Sequence, residues 1–201
     1  AFLGGRYVSA SAHVSTCPAA RHFCDALKAL GVVTNEYFAP LNFPAEAQRE
    51  VKQRLKGLEH YVAVHPGSGS IKKNWPIDRW TELIVSRNRS VLLISGEADR
   101  IPEALDKIPR VRRAHAWPLP VLGAALKGAT AFLGHDSGVS HLAGTTETPC
   151  LLLFGPTDPA IWSPPRAGVR ILRGTTMNAI TLPEVQLSLH ALLEEVESGQ
   201  R

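Results

Sequence analysis

Three loops carry the residue types that could bind or transform a ligand, and each follows a short apolar stretch. The first reads His65-Pro66-Gly67-Ser68-Gly69-Ser70-Ile71-Lys72-Lys73-Asn74-Trp75-Pro76. Glycines let a ligand approach the backbone closely, while hydroxyls, amides and lysines suit phosphate oxygens. The loop lacks the Gly-Lys-Ser/Thr ending of a Walker loop and the third glycine of the dinucleotide fingerprint. It therefore indicates a phosphate-binding turn of another kind, with a plain strand-to-helix turn as the alternative.

The second loop reads Gly134-His135-Asp136-Ser137-Gly138-Val139-Ser140-His141-Leu142-Ala143. Either Asp136 or Ser137 is expected to cap the helix that follows. The free amides of the first turn and the positive end of the helix dipole then form an anion site. His141 lies one helical turn from Ser137 and is expected near the same end. The alternative is a capped helix with a surface histidine.

The third loop is Phe154-Gly155-Pro156-Thr157-Asp158-Pro159, with Trp162-Ser163-Pro164 close behind. Proline and glycine stiffen a loop. If this segment follows a strand, it either forms one wall of a pocket or is simply a rigid turn.

Other chemistries fit these residues less well. Neither serine of the second loop lies in a Gly-x-Ser-x-Gly nucleophile elbow, which disfavours a hydrolase. The histidines His65, His135 and His141 have no cysteine or carboxylate at a spacing that completes a metal site. The basic cluster at 110–113 reads as a solvated face rather than a nucleic-acid surface.

The composition suits an ordinary globular protein, with 201 residues, 44% hydrophobic and 20% charged,. The formal net charge of +4 fits anionic partners such as nucleotides or phosphorylated glycolipids, although many proteins carry such a charge,. No apolar run approaches the roughly 20 residues of a transmembrane helix. Three cysteines without CxxC spacing argue against a disulfide framework or zinc site and favour a reducing, cytoplasmic compartment,.

Short apolar runs alternate with amphipathic stretches from Tyr61 onward. The predicted strands are 61–65, 91–95, 111–114, 131–134, 150–154 and 169–172, the last of them at an edge. The predicted helices are 76–84, 102–107, 119–127, 137–144 and 183–196. Strands that are apolar throughout and separated by helices indicate a parallel sheet covered on both faces. The predicted fold class is therefore α/β, a Rossmann-like doubly wound parallel sheet flanked by helices.

The first 57 residues read differently. The sequence predicts a helix over 18–30 that stops at Gly31 and a second over 44–56 closed by Gly57, with a linker at 32–42 between them. This segment cannot make a second sheet domain by itself, so it is expected to be the tail of one.

Taken in order, the three loops resemble glycosyltransferase family 9, the heptosyltransferases that build the lipopolysaccharide inner core. The resemblance rests on His65-Pro-Gly-Ser-Gly with Lys73 and Trp75-Pro76, on Gly134-x-Asp136-Ser137-Gly138-x-x-His141-Leu142-Ala143, and on Leu153-Phe154-Gly155-Pro156-Thr157-Asp158. It covers the chain from about Tyr61 to the end. It implies a GT-B fold, in which two Rossmann-like domains face each other and the C-terminal one holds ADP-heptose. Residues 1–57 would then be the remnant of a largely absent N-terminal acceptor domain together with interdomain helices, and 58–201 the nucleotide-sugar-binding domain.

The resemblance also implies which residues hold the donor. They are Ser68, Gly69, Lys73, Asp99, Asp136, Ser137, Gly138 and His141. Ser68 and Lys73 would contact the diphosphate, and Lys73 would also be catalytic, with Lys72 as the alternative if the loop is shifted by one residue. Asp99 would hold the ribose, with Glu97 as its rival. The residues from Asp136 to His141 would close around the diphosphate and the sugar.

The reaction implied by the resemblance is an inverting transfer that needs no metal and no cofactor besides the donor. The acceptor would be the lipid A–Kdo core, reached by a cytoplasmic protein that contacts the inner face of the membrane peripherally. The aspartate that serves the family as a general base has no counterpart before Tyr61. Two alternatives therefore stay open: a non-catalytic nucleotide-sugar-binding module and a structural Rossmann domain.

Overall fold

Parallel strands and helices alternate along most of the chain in the computed structural model, which describes residues 7–14 and 16–199. The strands are β1 (Val62–Val64), β2 (Val91–Ser95), β3 (Val111–His115), β4 (Ala131–His135), β5 (Cys150–Phe154) and β6 (Val169–Arg173). The α-helices are α1 (Ala19–Asp25), α2 (Ala45–Arg54), α3 (Ile77–Ser86), α4 (Leu119–Lys127), α5 (Gly138–Thr145), α6 (Pro159–Trp162) and α7 (Leu182–Glu197). Single 3-10 segments cover Ala26–Leu30, Ile71–Lys73, Glu103–Lys107 and Met177–Ala179.

The strands form one six-stranded sheet in the order β3-β2-β1-β4-β5-β6, and every pairing is parallel. This is the strand order of a doubly wound Rossmann sheet, so the predicted fold class is confirmed. The order reverses between β1 and β4, which pair directly through Val62–Ala131, Ala63–Phe132 and Val64–Leu133. Ligands bind in such sheets beyond the carboxyl ends of the strands at the point of reversal. That point lies where the first two loops begin.

Both faces of the sheet are covered, as the continuous apolar strands predict. Alternate residues of one strand point to opposite faces, so Val62 and Val64 join one core while Ala63 joins the other,. The first core is closed by α3 and α7, and the second by α2, α4 and α5. The edge strands β3 and β6 are only partly buried. Within residues 7–14 and 16–199, no helix is long and apolar enough to cross a membrane.

The N-terminal helices are shorter than their patterns predict. Residues 18–30 divide into α1 and a 3-10 segment that ends at Gly31, and Gly31 has the left-handed φ of 80° that favours glycine,. Gly57, at φ 80°, follows α2 in the same way. The predicted helix over 102–107 is a 3-10 segment. The predicted division into 1–57 and 58–201 stays a prediction, and residues 1–6, 15 and 200–201 lie outside the described residues.

The segment that joins the N-terminal helices to the sheet domain docks on α4 and α5. The Leu41 amide donates to the Thr145 carbonyl at 3.0 Å, and α2 packs against α4. Phe43 fills the space beside Gly123, a buried residue of α4, where a Cβ would stand 2.2 Å from the aromatic Cε1. The absence of a side chain at Gly123 is therefore what seats the Phe43 ring.

We expect Gly123→Ala to lower the free energy of unfolding by about 2 kcal/mol, the usual cost of overpacking a filled site. Helix propensity alone would give the opposite sign, since alanine is better than glycine in a helix by about 1 kcal/mol. Urea unfolding of the wild type and the variant measures the difference. Gly123→Ala combined with Phe43→Leu should recover part of the loss. A stabilised single variant would show that the ring yields without cost.

Candidate functional site

The reversal of strand order brings the first and second loops side by side, and His135 joins them. His135 is the last residue of β4 and is fully buried. Its Nε2 accepts a hydrogen bond of 2.9 Å from the Trp75 amide, and its Nδ1 lies 3.4 Å from the Gly67 carbonyl oxygen. Since Nε2 accepts, the proton of the neutral ring is on Nδ1 and is donated to Gly67. One side chain thus fixes both ends of the first loop.

The sequence reasoning did not assign His135 this role. Burial lowers the pKa of its imidazole to about 3, while the hydrogen bond to Gly67 opposes that shift. The ring is therefore neutral at neutral pH and acts as a fixed donor and acceptor. It also packs edge-on against Trp80, at 5.3 Å between ring centroids. A histidine at the end of an otherwise apolar strand was the only signal available.

The His135 environment predicts a dependence of stability on acid. In the unfolded chain a histidine takes up a proton below pH ~6.5, whereas the folded ring resists protonation down to about 3,. The contribution of the neutral ring to the free energy of unfolding is therefore complete above pH ~6.5, and it is lost as the pH falls toward the pKa of the ring in the folded protein. The wild type should unfold less readily than His135→Gln at neutral pH. As the pH falls, the ratio of the unfolding equilibrium constant of His135→Gln to that of the wild type should decrease, by up to about tenfold per pH unit. Urea unfolding from pH ~7 to pH ~4.5 measures it, and a constant difference would contradict a buried neutral ring.

Lys73 and Asp136 form an ion pair between the two loops. The Lys73 Nζ lies 3.2 Å from the Asp136 Oδ2 and donates to the Asp136 backbone carbonyl at 2.9 Å. The Asp136 side chain is largely buried, and that of Lys73 is 24% exposed. Lys72 is exposed on the same 3-10 segment. Of the two lysines, Lys73 is the one that the fold directs to the second loop.

The second loop opens α5 without a side-chain cap, so the expectation that Asp136 or Ser137 caps this helix is wrong. Ser137 occupies the N-cap position, but its hydroxyl lies 3.4 Å from His65 Nδ1 and 3.2 Å from Ser140 Oγ. The first intrahelical bonds are made by the Ser140 and His141 amides to the Ser137 carbonyl. The amides of Gly138 and Val139 precede these bonds at the positive end of the helix.

Gly138 and His141 lie beside the Lys73–Asp136 pair. Gly138 is exposed, and a Cβ there would meet no atom within 4 Å, so the approach to the helix end is open. His141 is half-buried, and burial lowers the pKa of its ring, while the Asp136 carboxylate and the nearby Trp162 backbone act in the opposite direction. The third loop thus reaches the site through Trp162 of α6.

The third loop itself is rigid. Gly155 packs on Met177, where a Cβ would stand 2.7 Å from Sδ. The Asp158 carboxylate caps α6 by accepting from the Ala160 amide at 3.2 Å and also pairs with Arg173. These contacts fit the predicted stiff segment, with Trp162 as its contact to His141.

A cleft of about 530 Å³ opens beside the first loop. Its lining includes the predicted residues Ser68, Gly69 and Asp99. The Ser68 hydroxyl is buried and lies 2.5 Å from the Asn74 side-chain oxygen, which shapes the loop from inside. Gly69 is exposed, and a Cβ there would meet no atom within 4 Å.

Asp99 is held at the floor of this cleft by two contacts. Its Oδ2 accepts from the Gly96 amide at 2.7 Å and lies 3.3 Å from His65 Nε2. The His65 hydrogen bond is the main cause that lowers the Asp99 pKa. The carboxylate lies directly on Gly67, where a Cβ would stand 2.0 Å from Oδ1. The rival residue Glu97 is exposed and absent from the cleft lining.

The predicted residues therefore fall into two adjoining groups. Ser68, Gly69 and Asp99 line the cleft, and the others surround the start of α5: Lys73, Asp136, Ser137, Gly138 and His141. The imidazoles of His65 and His135, both at strand ends, connect the two groups. Within the described part of the chain, no three His, Cys, Asp or Glu side chains come together as a metal site. The roles of these residues toward a donor stay predictions.

Comparisons with known proteins show the family of this chain. The family described as glycosyltransferase family 9 (heptosyltransferase) matches residues 19–190. The chain belongs to glycosyltransferase family 9. It is 28% identical over 151 residues to lipopolysaccharide heptosyltransferase 3 of Escherichia coli K12, covering 69% of this chain and 44% of the relative. It is 36% identical over 109 residues to lipopolysaccharide heptosyltransferase 1 of Pseudomonas aeruginosa, covering 51% of this chain and 30% of the relative. The chain thus spans less than half the length of these relatives.

Solved structures share the fold. A glycosyl transferase family 9 structure from Veillonella parvula superposes with a TM-score of 0.80 at 17% identity, over 96% of this chain and 64% of the other. The E. coli heptosyltransferase WaaC, solved with ADP, superposes with a TM-score of 0.65 at 21% identity, over 83% of this chain and 54% of the other. The Rossmann-like sheet of this chain thus corresponds to part of longer chains, which include GT-B heptosyltransferases.

Proposed function

We propose that this chain binds the nucleoside-diphosphate sugar of a heptosyltransferase-like reaction, with ADP-heptose as the donor. The observation that carries the proposal is the convergence of Lys73 and the amino end of α5 at the reversal of strand order. A cation and free helix amides at one point suit a diphosphate, and both act on phosphate oxygens. The adjoining cleft has room for the nucleoside, with Asp99 at its floor for the ribose hydroxyls.

The proposed chemistry follows from where charge develops. An acceptor hydroxyl attacks the anomeric carbon, its proton leaves with a base, and the bond from that carbon to the diphosphate oxygen breaks with inversion. Negative charge grows on the leaving diphosphate, and preorganised donors there lower the barrier. Lys73 must exchange its contact with Asp136 for the phosphate, while the amides of Gly138 and Val139 belong to the first turn of α5, where helix amides have no intrahelical partner,. Asp136 and His141, at the same edge, would then contact the sugar.

The proposed acceptor is a lipopolysaccharide core glycolipid, reached in the cytoplasm by a peripheral contact with the inner face of the membrane. This part of the proposal rests on the family and on the names of the curated relatives. No cofactor, metal or nucleic acid takes part in it. Because the chain spans less than half of those relatives, donor binding is the activity that we assign to this chain by itself, and transfer is assigned to the complete architecture.

Calorimetric titration with ADP and AMP tests the proposal. ADP is expected to bind in the micromolar range, about −8 kcal/mol. AMP lacks the second phosphate and should bind at least about tenfold more weakly, because it loses charge-assisted contacts. Equal affinity for AMP would contradict diphosphate recognition, and no binding of either nucleotide would favour a structural Rossmann domain.

A further inference from the structure

A continuous chain of polar side chains connects the cleft to the amino end of α5. Asp99 Oδ2 lies 3.3 Å from His65 Nε2, and His65 Nδ1 lies 3.4 Å from Ser137 Oγ. Ser137 Oγ is 3.2 Å from Ser140 Oγ, and the Ser140 hydroxyl donates to the His135 backbone carbonyl. His65 and Ser140 are 6% and 1% exposed, so water has little access to the middle of this chain.

The number of protons available decides how these contacts can be made. A serine hydroxyl has one proton, and Ser140 donates its proton to the backbone carbonyl of His135,. The contact between the two serines therefore needs the proton of Ser137. Ser137 can then only accept from His65 Nδ1, while Nε2 donates to Asp99. All four contacts are satisfied together only when both ring nitrogens of His65 carry protons.

A neutral His65 leaves a different arrangement. With its one proton donated to Asp99, the ring needs a donor at Nδ1, and the Ser137 hydroxyl is the group within reach at 3.4 Å. Turning that hydroxyl toward a ligand would then leave a buried ring nitrogen without a partner, which is unfavourable. With both nitrogens protonated, the Ser137 hydroxyl is an acceptor toward His65, and its own proton can turn from Ser140 to a ligand without leaving a ring nitrogen unpaired.

We propose that His65 is a positioning residue of the donor site, which in its protonated form releases the Ser137 hydroxyl to donate to a diphosphate oxygen and in its neutral form holds that hydroxyl back. The inference rests on the proposed function and assigns His65 a role in it. Binding of a diphosphate is then favoured by the protonated form of His65, so affinity rises as the pH falls.

The charges around His65 are consistent with this coupling. The titratable groups of the surrounding elements are Asp99 after β2, His135 at the end of β4, Asp136 before α5, His141 on α5 and Lys73 on the 3-10 segment. Asp99 favours a charged imidazole. The opposite charges of Lys73 and Asp136 act against each other on the His65 imidazole, and the neutral His135 adds no charge. A diphosphate adds negative charge to the site and favours the charged form further.

The test compares ADP affinity of the wild type with His65→Gln and His65→Asn between pH 5 and pH 8, the range in which histidine titrates. Glutamine keeps a donor toward Asp99 and asparagine keeps an acceptor toward Ser137, but neither titrates. The titration of ADP itself cancels in the ratio of wild-type to variant affinity. We expect this ratio to rise as the pH falls, by up to about tenfold per pH unit. Thermal unfolding of each variant monitors the fold.

The Ser137→Ala background separates this role from a merely structural one. With the hydroxyl removed, only the direct attraction between a charged His65 and the diphosphate remains, so His65→Gln should change the pH dependence of ADP binding clearly less than it does in the wild type. A ratio that stays constant with pH, or an effect of His65→Gln on the pH dependence that is as large in Ser137→Ala as in the wild type, would overturn the inference while leaving the proposed function intact. Absence of ADP binding by the wild type at every pH would overturn both.

Discussion

Lys73→Met is expected to weaken ADP binding by about 100-fold. The Lys73 ammonium is the cation that the fold directs to the start of α5, and it is only 24% exposed. A charge-assisted hydrogen bond in such a setting contributes about 1.5–3 kcal/mol, and every 1.4 kcal/mol is a factor of ten in affinity. Without Lys73, the Asp136 carboxylate also repels the diphosphate. Titration calorimetry measures the loss.

Two further variants serve as controls for this prediction. Lys72→Met removes a charge from the neighbouring, exposed residue and should change the affinity less than about threefold, since exposed charges act weakly through solvent,. Combining Lys73→Met with Asp136→Asn removes the repulsive carboxylate and should recover part of the affinity. If Lys72→Met proved the more damaging change, the alternative register of the loop would be correct.

His135→Leu is expected to lower the free energy of unfolding by about 3 kcal/mol and to abolish tight ADP binding. Leucine fills much of the space but cannot accept from the Trp75 amide or donate to the Gly67 carbonyl. Each buried backbone group left without a partner costs about 1–3 kcal/mol. The first loop then loses the contacts that hold it beside α5. Urea unfolding and calorimetry measure the two effects.

His190→Leu is the matched control, because it makes the same exchange at an exposed position. The His190 side chain is 61% exposed, and its Nε2 lies 3.3 Å from Glu194 Oε1, one turn away on α7. A surface pair of this kind contributes about 0.3–0.5 kcal/mol. His135→Gln, which retains an acceptor and a donor, should lie between the wild type and His135→Leu. Equal stability of the two leucine variants would mean that His135 does not hold the loop.

The sheet could be predicted from the sequence because its strands are apolar on both faces. Runs such as Cys150–Phe154 are buried at every residue, and helices alternate with them, which leaves few folds open. The helix patterns were less reliable in short segments such as residues 26–30, because five residues are too few to distinguish the period of about 3.0 residues of a 3-10 helix from the period of about 3.6 residues of an α-helix,. The order of the strands in the sheet was not predicted from the sequence and is known from the structure.

The candidate site was only partly predictable. Glycine, lysine and helix-start patterns pointed to Lys73, Asp136 and Ser137, and the fold brings these residues together. The supporting roles of His65 and His135 were not predicted, because they depend on contacts between residues more than 30 positions apart. The predicted cap of α5 failed for the same reason. The Ser137 hydroxyl lies within reach of His65, which is distant in the sequence, as well as of the neighbouring Ser140, and it does not cap the helix.

The most direct measurement is a crystal structure of this chain grown with ADP. We expect the diphosphate to lie at the reversal of strand order, within hydrogen-bond distance of Lys73 Nζ and the amides of Gly138 and Val139. The ribose should then extend along the cleft toward Asp99. Nucleotide bound elsewhere on the sheet, or a diphosphate that leaves the Lys73–Asp136 pair unbroken and untouched, would contradict the account.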